Sequence, residues 1–109
     1  MYCIYVIENQ DNGKRYVGKT ERIKFRVYEH MLLLRRGKHR NKDMQEDFNK
    51  RKKNFVWYVV QSDIKAGNGC REEIQWMQKL KTFLPEYGYN SKDAYFWRNG
   101  KRTCLAKGN

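Results

Sequence analysis

The chain has 109 residues, the size of one small domain, and an aromatic content of 15% that is too high for a disordered chain. It carries 24 lysines and arginines against 12 aspartates and glutamates, for a net charge of +12. A positive charge this large favours a polyanionic partner, because each phosphate that a basic side chain neutralises releases counterions. Nucleic acid is therefore the first partner to consider.

Three patterns bear on the compartment. The sequence has no apolar run long enough to cross a membrane, and its N-terminus lacks the layout of a signal peptide. Cys3, Cys70 and Cys104 lack the C-x-x-C spacing of a zinc site, and we expect them to be reduced thiols. These patterns predict a cytoplasmic protein that does not bind membranes.

The first predicted element is a β-hairpin. Residues 2–7 and 15–18 are rich in β-branched and aromatic side chains. Asp11-Asn12-Gly13 between them is typical of a turn, because Asn and Gly accept positive φ angles. Tyr5 and Tyr16 lie on the two arms and can approach each other, although two such tyrosines are usually packing residues.

A helix is predicted after the hairpin, with Thr20 as its N-cap and Gly37 at its end. Arg26 and His30 lie four residues apart at the margin of its apolar face, where a cleft can form against the hairpin. On spacing alone, Arg26 is a solvated charge and His30 a hydrogen-bonded boundary residue. The apolar face consists of Ile23, Val27, Met31 and Leu34.

A strongly basic segment follows between residues 35 and 53, with a second short helix predicted from about Lys42 to Lys52. A run of charge is usually a solvated face, but the excess of positive charge here favours contacts with phosphates. The predicted nucleic-acid-binding residues are Arg35, Arg36, Lys38, Arg40, Asn41 and Lys42.

Residues 54–60 form the strongest predicted strand in the chain. Their nearly continuous apolar character indicates a central strand that is covered on both faces. Pairing with the hairpin gives a small three-stranded antiparallel sheet. With about three flanking helices, the predicted fold class is α+β.

The third predicted helix begins at Cys70 and is broken by Pro85. Glu73 projects onto its apolar face, beside Trp76, Met77 and Leu80. A carboxylate in that position must be paired, protonated or bound to a metal ion. A buried ion pair with Arg26 and a metal site are the two interpretations that remain open.

The last residues form a separate basic and aromatic segment. We expect a domain over residues 1–92 and an extension over residues 93–109. Tyr95-Phe96-Trp97 in that extension can dock on the domain or stack on nucleic acid, and the sequence does not separate these alternatives.

Six short blocks in order resemble the GIY-YIG nuclease family, most of all the nuclease domains of phage homing endonucleases. Each block alone is weak, but six in order over roughly residues 1–96 are specific. Cys3 is the main departure, because the family usually has Gly there; we expect this small residue to be tolerated. The blocks are Cys3-Ile4-Tyr5, Tyr16-Val17-Gly18, Arg26-x-x-x-His30, residues 37–50, Glu73-x-x-Trp76-Met77 and Gly88-Tyr89-Asn90.

The resemblance implies a DNA endonuclease that hydrolyses phosphodiester bonds with a single Mg²⁺ or Mn²⁺ ion bound to Glu73. It implies that Arg26 stabilises the scissile phosphate, that His30 contacts the phosphate or shuttles a proton, and that Tyr5 acts as general base. Asn90 would support the site, although a turn-forming role is equally compatible with its position. The catalytic residues implied are Tyr5, Tyr16, Arg26, His30 and Glu73, and the supporting residues are Lys19, His39 and Asn90.

One active site cuts one strand of double-stranded DNA. We expect a monomer that breaks both strands by two sequential nicks or as a transient dimer on DNA. We expect it to act in the cytoplasm, which for a phage-encoded protein is that of the host cell. The alternative function is a catalytically silent DNA- or RNA-binding module on the same scaffold, and an inward-facing Glu73 argues against it. A domain that binds an acidic protein is a third reading. The target sequence and the biological role do not follow from these residues.

Overall fold

A computed structural model describes residues 1–51 and 54–90, together with the backbone of two short strands closer to the C-terminus. The elements are β1 (Tyr2–Asn9), β2 (Arg15–Thr20), α1 (Ile23–Arg35), α2 (Lys42–Lys50), β3 (Phe55–Ile64), a short 3-10 helix (Ala66–Asn68), α3 (Gly69–Leu80), β4 (Trp97–Arg98) and β5 (Lys101–Arg102). The three-stranded sheet and the three helices agree with the predicted α+β class. Apart from the backbone of β4 and β5, the expected extension over residues 93–109, including Tyr95-Phe96, lies outside the described residues.

The main sheet is antiparallel and has the strand order β2-β1-β3. The hairpin of β1 and β2 is closed by the predicted turn, in which Gly13 has a φ of +78° and donates its N–H to the Asn9 carbonyl at 2.8 Å. The central strand, β1, is almost completely buried from Ile4 to Ile7. Because side chains alternate along a strand, its two faces enter two different apolar clusters.

These two clusters form the core. Tyr5 and Ile7 pack with residues of α1 and α2, including Val27, Leu34 and Met44. Ile4 and Val6, on the other face, pack with residues of β2, β3 and α3, namely Val17, Ile64 and Met77. The helices therefore cover both faces of β1.

The prediction that residues 54–60 form the central strand is wrong. β3 pairs only with β1 and lies at the edge of the sheet. Trp57 and Val59 are each 42% exposed, and Tyr58 is 37% exposed. A continuous apolar run does not reveal whether neighbouring strands flank it on one side or both, and β1 occupies the centre instead.

Two predicted helix ends also shift. Thr20 does not cap α1; its hydroxyl accepts the N–H of Arg22 at 3.0 Å in a local turn, and α1 begins at Ile23. α3 ends at Leu80, before Pro85, because Lys81 adopts a left-handed conformation with a φ of 59°. The N–H of Thr82 then bonds the Met77 carbonyl at 3.1 Å, as in a helix C-cap.

The expectation of reduced thiols is wrong for Cys70. Cys3 is free, but Cys70 is disulfide-bonded. A disulfide depends on the spatial approach of two side chains, which the spacing of cysteines in the sequence does not show. Within the described part of the chain, no helix is both long and apolar enough to pass through a membrane.

Candidate active site

Tyr5 and Tyr16 lie side by side on one face of the hairpin. The register places Tyr5 opposite Gly18 and Tyr16 opposite Ile7, so the two tyrosines are diagonal neighbours, with ring centroids 6.4 Å apart. The Tyr5 ring lies directly over Gly18, where an added Cβ would stand 2.4 Å from the Tyr5 hydroxyl oxygen. Gly18 is therefore required for the position of Tyr5.

His30 joins α1 to this pair of tyrosines. Its Nε2 lies 2.7 Å from the Tyr5 hydroxyl oxygen, and both side chains are buried. The His30 ring also meets the Tyr16 ring edge-on, with centroids 5.3 Å apart. His30 is thus an interior residue of the site and not a residue at the margin of the core.

His39, in the loop between α1 and α2, continues the contact. Its Nε2 lies 2.8 Å from the Nδ1 of His30. Burial lowers the pKa of His30 to about 3 and the pKa of His39 to about 4, and the positive charges of Arg26 and Arg40 act in the same direction. Both imidazoles are therefore neutral at physiological pH.

Arg26 is half-buried at the mouth of the site. Its Nη1 contacts the Glu29 carboxylate at 2.8 Å, one turn along α1. Burial raises the pKa of Tyr5 and Tyr16, while the Arg26 charge lowers both. Because burial dominates, both tyrosines are phenols at neutral pH. Glu29 was missed by the sequence analysis, although its spacing of three residues from Arg26 was a usable signal.

Glu73 enters the site from α3. Its carboxylate forms no hydrogen bond or ion pair with any residue that the structure describes, so the interpretation as an ion pair with Arg26 is wrong. Burial raises the pKa of Glu73 to about 7, while the charges of Lys19 and Arg26 lower it. Lys19 lies over the Tyr2 ring, with its Nζ 5.0 Å from the ring centroid.

These surroundings fit a single oxygen-liganded cation. Residues 1–51 and 54–90 contain no cluster of three or more His, Cys, Asp or Glu side chains that could hold a metal ion. Glu73 is instead one unpartnered carboxylate, and Mg²⁺ is often held by one or two carboxylates while it keeps several water ligands.

Comparisons with known proteins agree with this arrangement. The sequence matches the family model of the GIY-YIG catalytic domain over residues 1–90. The chain belongs to the GIY-YIG family. It is an endonuclease, a hydrolase that acts on phosphodiester bonds.

Two solved structures resemble this GIY-YIG domain. The catalytic domain of the homing endonuclease I-TevI matches with a TM-score of 0.75 and 26% sequence identity, covering 84% of this chain and 98% of that domain. A variant of the catalytic domain of the intron endonuclease I-TevI matches with a TM-score of 0.72 and 27% identity, covering 83% and 93%. No curated protein matches the sequence.

Asn90 holds the second strand of the GIY-YIG hairpin. Its Oδ1 accepts the N–H of Val17 at 2.8 Å, and its Nδ2 donates to the Val17 carbonyl at 3.0 Å. On the outer side of β2, these two bonds add to the backbone pairing of Arg15 with the segment around Gly88. Of the two roles left open for Asn90, the geometry favours support of the segment between Tyr16 and Gly18.

Asn41 is used inside the GIY-YIG fold. Its Oδ1 caps α2 by accepting the N–H of Met44 at 3.0 Å, and its Nδ2 donates to the Tyr89 carbonyl at 2.6 Å. With both ends of the amide engaged, its geometry favours a structural role over the predicted contact with nucleic acid.

The other five residues predicted to bind nucleic acid are all exposed, and they form no ion pair with the described residues. They can therefore reach phosphates without breaking an internal contact. Arg40 is near enough to lower the pKa of both His30 and His39, so this basic segment borders the GIY-YIG site. The five residues are Arg35, Arg36, Lys38, Arg40 and Lys42.

Gln45 supports the site and was not predicted to do so. It is buried on α2, where its Oε1 accepts the N–H of His39 at 2.9 Å and its Nε2 donates to the Leu34 carbonyl at 2.9 Å. It thus ties the loop that carries His39 to the end of α1. A polar residue between the apolar Met44 and Phe48 was the available signal.

Proposed function

We propose that the chain is a divalent-metal-dependent endonuclease that cuts DNA, with one active site per chain. The observation that carries this proposal is the approach of a buried phenol, a half-buried guanidinium and a carboxylate that has no ion-pair partner among the described residues. Tyr5, Arg26 and Glu73 come from β1, α1 and α3, and the charges of Arg26 and Glu73 both act on the pKa of Tyr5. The likeness to the catalytic domain of a homing endonuclease supports DNA as the substrate.

Each side chain has a role that its chemistry allows. Glu73 would hold the Mg²⁺ or Mn²⁺ ion, which supplies a Lewis acid for the scissile phosphate. Arg26 binds the non-bridging phosphate oxygens through its planar fork of donors. Tyr5 orients the attacking water and accepts its proton, with Tyr16 and His30 assisting.

The base role of Tyr5 depends on its anionic form, which burial disfavours. The Arg26 charge opposes that cost. Glu73 would hold a divalent cation whose positive charge would favour the phenolate of Tyr5 further.

The basic surface supplies the substrate contacts. The exposed basic side chains of this surface flank His39 in the chain, between the end of α1 and the start of α2, and they are Arg35, Arg36, Lys38, Arg40 and Lys42. Such side chains would hold the phosphate backbone without reading its sequence. We propose a monomer that breaks two strands by successive nicks or as a transient dimer on DNA.

Cleavage of supercoiled plasmid with Mg²⁺ or Mn²⁺ tests the proposal. We expect the wild type to nick or linearise the plasmid, and EDTA or the Glu73→Gln substitution to abolish cleavage. Glu72→Gln is the matched control, because Glu72 is the adjacent helix residue and, among the described residues, its one ion pair is with Arg71 at 3.9 Å. It should cut like the wild type.

Two results would contradict the proposal. A wild type that binds DNA but cuts no DNA or RNA substrate would identify a silent binding module. A Glu73→Gln variant that cuts as fast as the wild type would leave the nuclease intact but remove Glu73 as the metal ligand.

A further inference from the structure

A continuous line of hydrogen bonds runs from the start of α2 to the Tyr5 hydroxyl. The backbone N–H of Asn41 donates to the Nδ1 of His39 at 3.0 Å. The His39 Nε2 and the His30 Nδ1 are 2.8 Å apart, and the His30 Nε2 and the Tyr5 Oη are 2.7 Å apart. The two imidazole planes differ by 19° with centroids 5.0 Å apart, as expected for rings that meet edge to edge at one N–H···N bond.

The first bond in this line fixes the direction of all the others. A peptide N–H can only donate, so the Nδ1 of His39 must carry a lone pair. A neutral His39 then has its proton on Nε2, which donates to the Nδ1 of His30. His30 in turn has its proton on Nε2 and donates it to the Tyr5 hydroxyl oxygen.

The neutral state that this deduction requires agrees with the surroundings. Burial lowers the pKa of both imidazoles, to about 4 for His39 and about 3 for His30. Gln45 holds the His39 backbone N–H at 2.9 Å, so the loop presents the His39 ring in one orientation. Asn41 keeps its position because its own side chain caps α2.

We propose that His39 is a positioning residue that fixes the tautomer of His30, so that His30 donates a hydrogen bond to Tyr5 and does not accept the Tyr5 proton. The Tyr5 proton is then directed away from His30, into the cleft. This role of His39 rests on the proposed function of Tyr5. It also changes the expectation, drawn from the family resemblance, that His30 shuttles a proton. His30 stabilises the phenolate of Tyr5 and is not a proton shuttle, because the line ends on a peptide N–H that does not release its proton.

Long-range ¹H–¹⁵N NMR of the metal-free protein tests the tautomer directly, since it identifies the protonated nitrogen of each imidazole ring. The chain contains two histidines, so any His39 variant leaves one imidazole to assign. We expect both wild-type rings to be protonated at Nε2. A wild-type His30 protonated at Nδ1 would overturn the proposal, whichever variants fold.

Two substitutions of equal size test the consequence for cleavage. His39→Gln keeps an N–H donor near the position of Nε2, whereas His39→Glu places an ionised acceptor there. We expect His30 to stay protonated at Nε2 in His39→Gln and to carry a proton on Nδ1 in His39→Glu. The cleavage rate should stay near that of the wild type for Gln and fall roughly tenfold or more for Glu.

The outcomes separate the two proposals. Equal cleavage by the Gln and Glu variants, with the His30 proton moved in the second, would overturn the role of His39. His30 protonated at Nε2 in a wild type that cuts no nucleic acid would support the tautomer and overturn the proposed function instead.

Discussion

Burial disfavours the charged forms of the two tyrosines, the two histidines and Glu73 in the site. It keeps Tyr5 a phenol and the two histidines neutral, and it raises the pKa of Glu73 to about 7. The metal-free site at neutral pH therefore holds a carboxyl group that is only partly ionised. Since a cation binds the carboxylate form, metal binding and proton release at Glu73 are coupled.

The raised pKa of Glu73 predicts a stability difference that depends on pH. The ordinary value is 4.5 and the folded value is about 7, so the protonated carboxyl favours the fold below about pH 4.5, and this contribution is lost as the pH rises through 7. In EDTA, the free energy of unfolding of Glu73→Gln relative to the wild type should increase by on the order of 2 kcal/mol between about pH 4 and pH 8. Urea denaturation at both pH values measures it. The same difference at both values would show that Glu73 is not buried as described.

Gly18→Ala should impair cleavage by displacing Tyr5. The added methyl group would overlap the Tyr5 ring, which is itself only 1% exposed and cannot swing aside. We expect the plasmid-nicking rate to fall by roughly tenfold or more, since small displacements of a reacting group are costly. Gly67→Ala is the control, because nothing lies within 4 Å of its added methyl group. Similar rates for both variants would show that the Tyr5 position does not limit cleavage.

At the level of the secondary-structure elements, the sequence predicted which helices and strands exist better than it predicted where they end and how the strands are ordered. The hairpin turn follows from Gly13. The helices follow from the spacing of their apolar residues, and the same spacing placed Glu73 on the apolar face of α3. The end of α3 does not follow from that spacing, because the left-handed Lys81 stops the helix without a glycine. The sequence also does not show that β1 is the central strand and β3 an edge strand, because both strands are apolar.

The hydrogen bonds of the site could not be predicted from the sequence, because they too depend on how the elements pack together. Periodicity put Arg26 and His30 beside the helix face, but it could not show that Arg26 binds Glu29 while His30 binds Tyr5. Those choices depend on how α1 is rotated against the sheet. The resemblance to a family named the residues, and the structure supplies their partners.

Asn41 caps α2, and the effect of its removal on stability should be measurable. Asn41→Ala removes the cap of α2 and the bond to the Tyr89 carbonyl, so we expect a loss of about 1–2 kcal/mol in the free energy of unfolding. Asn68→Ala is the matched control, because Asn68 occupies the same position before α3 but forms no side-chain cap. Thermal or urea denaturation of both variants measures the two losses in the free energy of unfolding. Equal losses would mean that the cap bond contributes nothing.

Over the whole molecule, a net charge of +12 should make DNA binding strongly dependent on salt. In EDTA, where no cleavage is expected, the logarithm of the association constant should fall linearly with the logarithm of salt concentration. Arg36→Ala should make that slope shallower by about 1 if this side chain contacts one phosphate. Lys65→Ala, outside the basic segment, should leave the slope unchanged. A slope near zero for the wild type would favour an acidic protein as the partner.

The central position of β1 also sets the order in which the site is completed during synthesis. β1 pairs with β2, which follows it closely, but also with β3, and its Tyr5 must meet Glu73 of α3. A ribosome releases the N-terminal residues first, so the hairpin with both tyrosines emerges long before the carboxylate. A nascent chain that ends before α3 therefore carries the tyrosines of the site without Glu73. Its cleavage activity begins after α3 has been translated and has packed against the sheet.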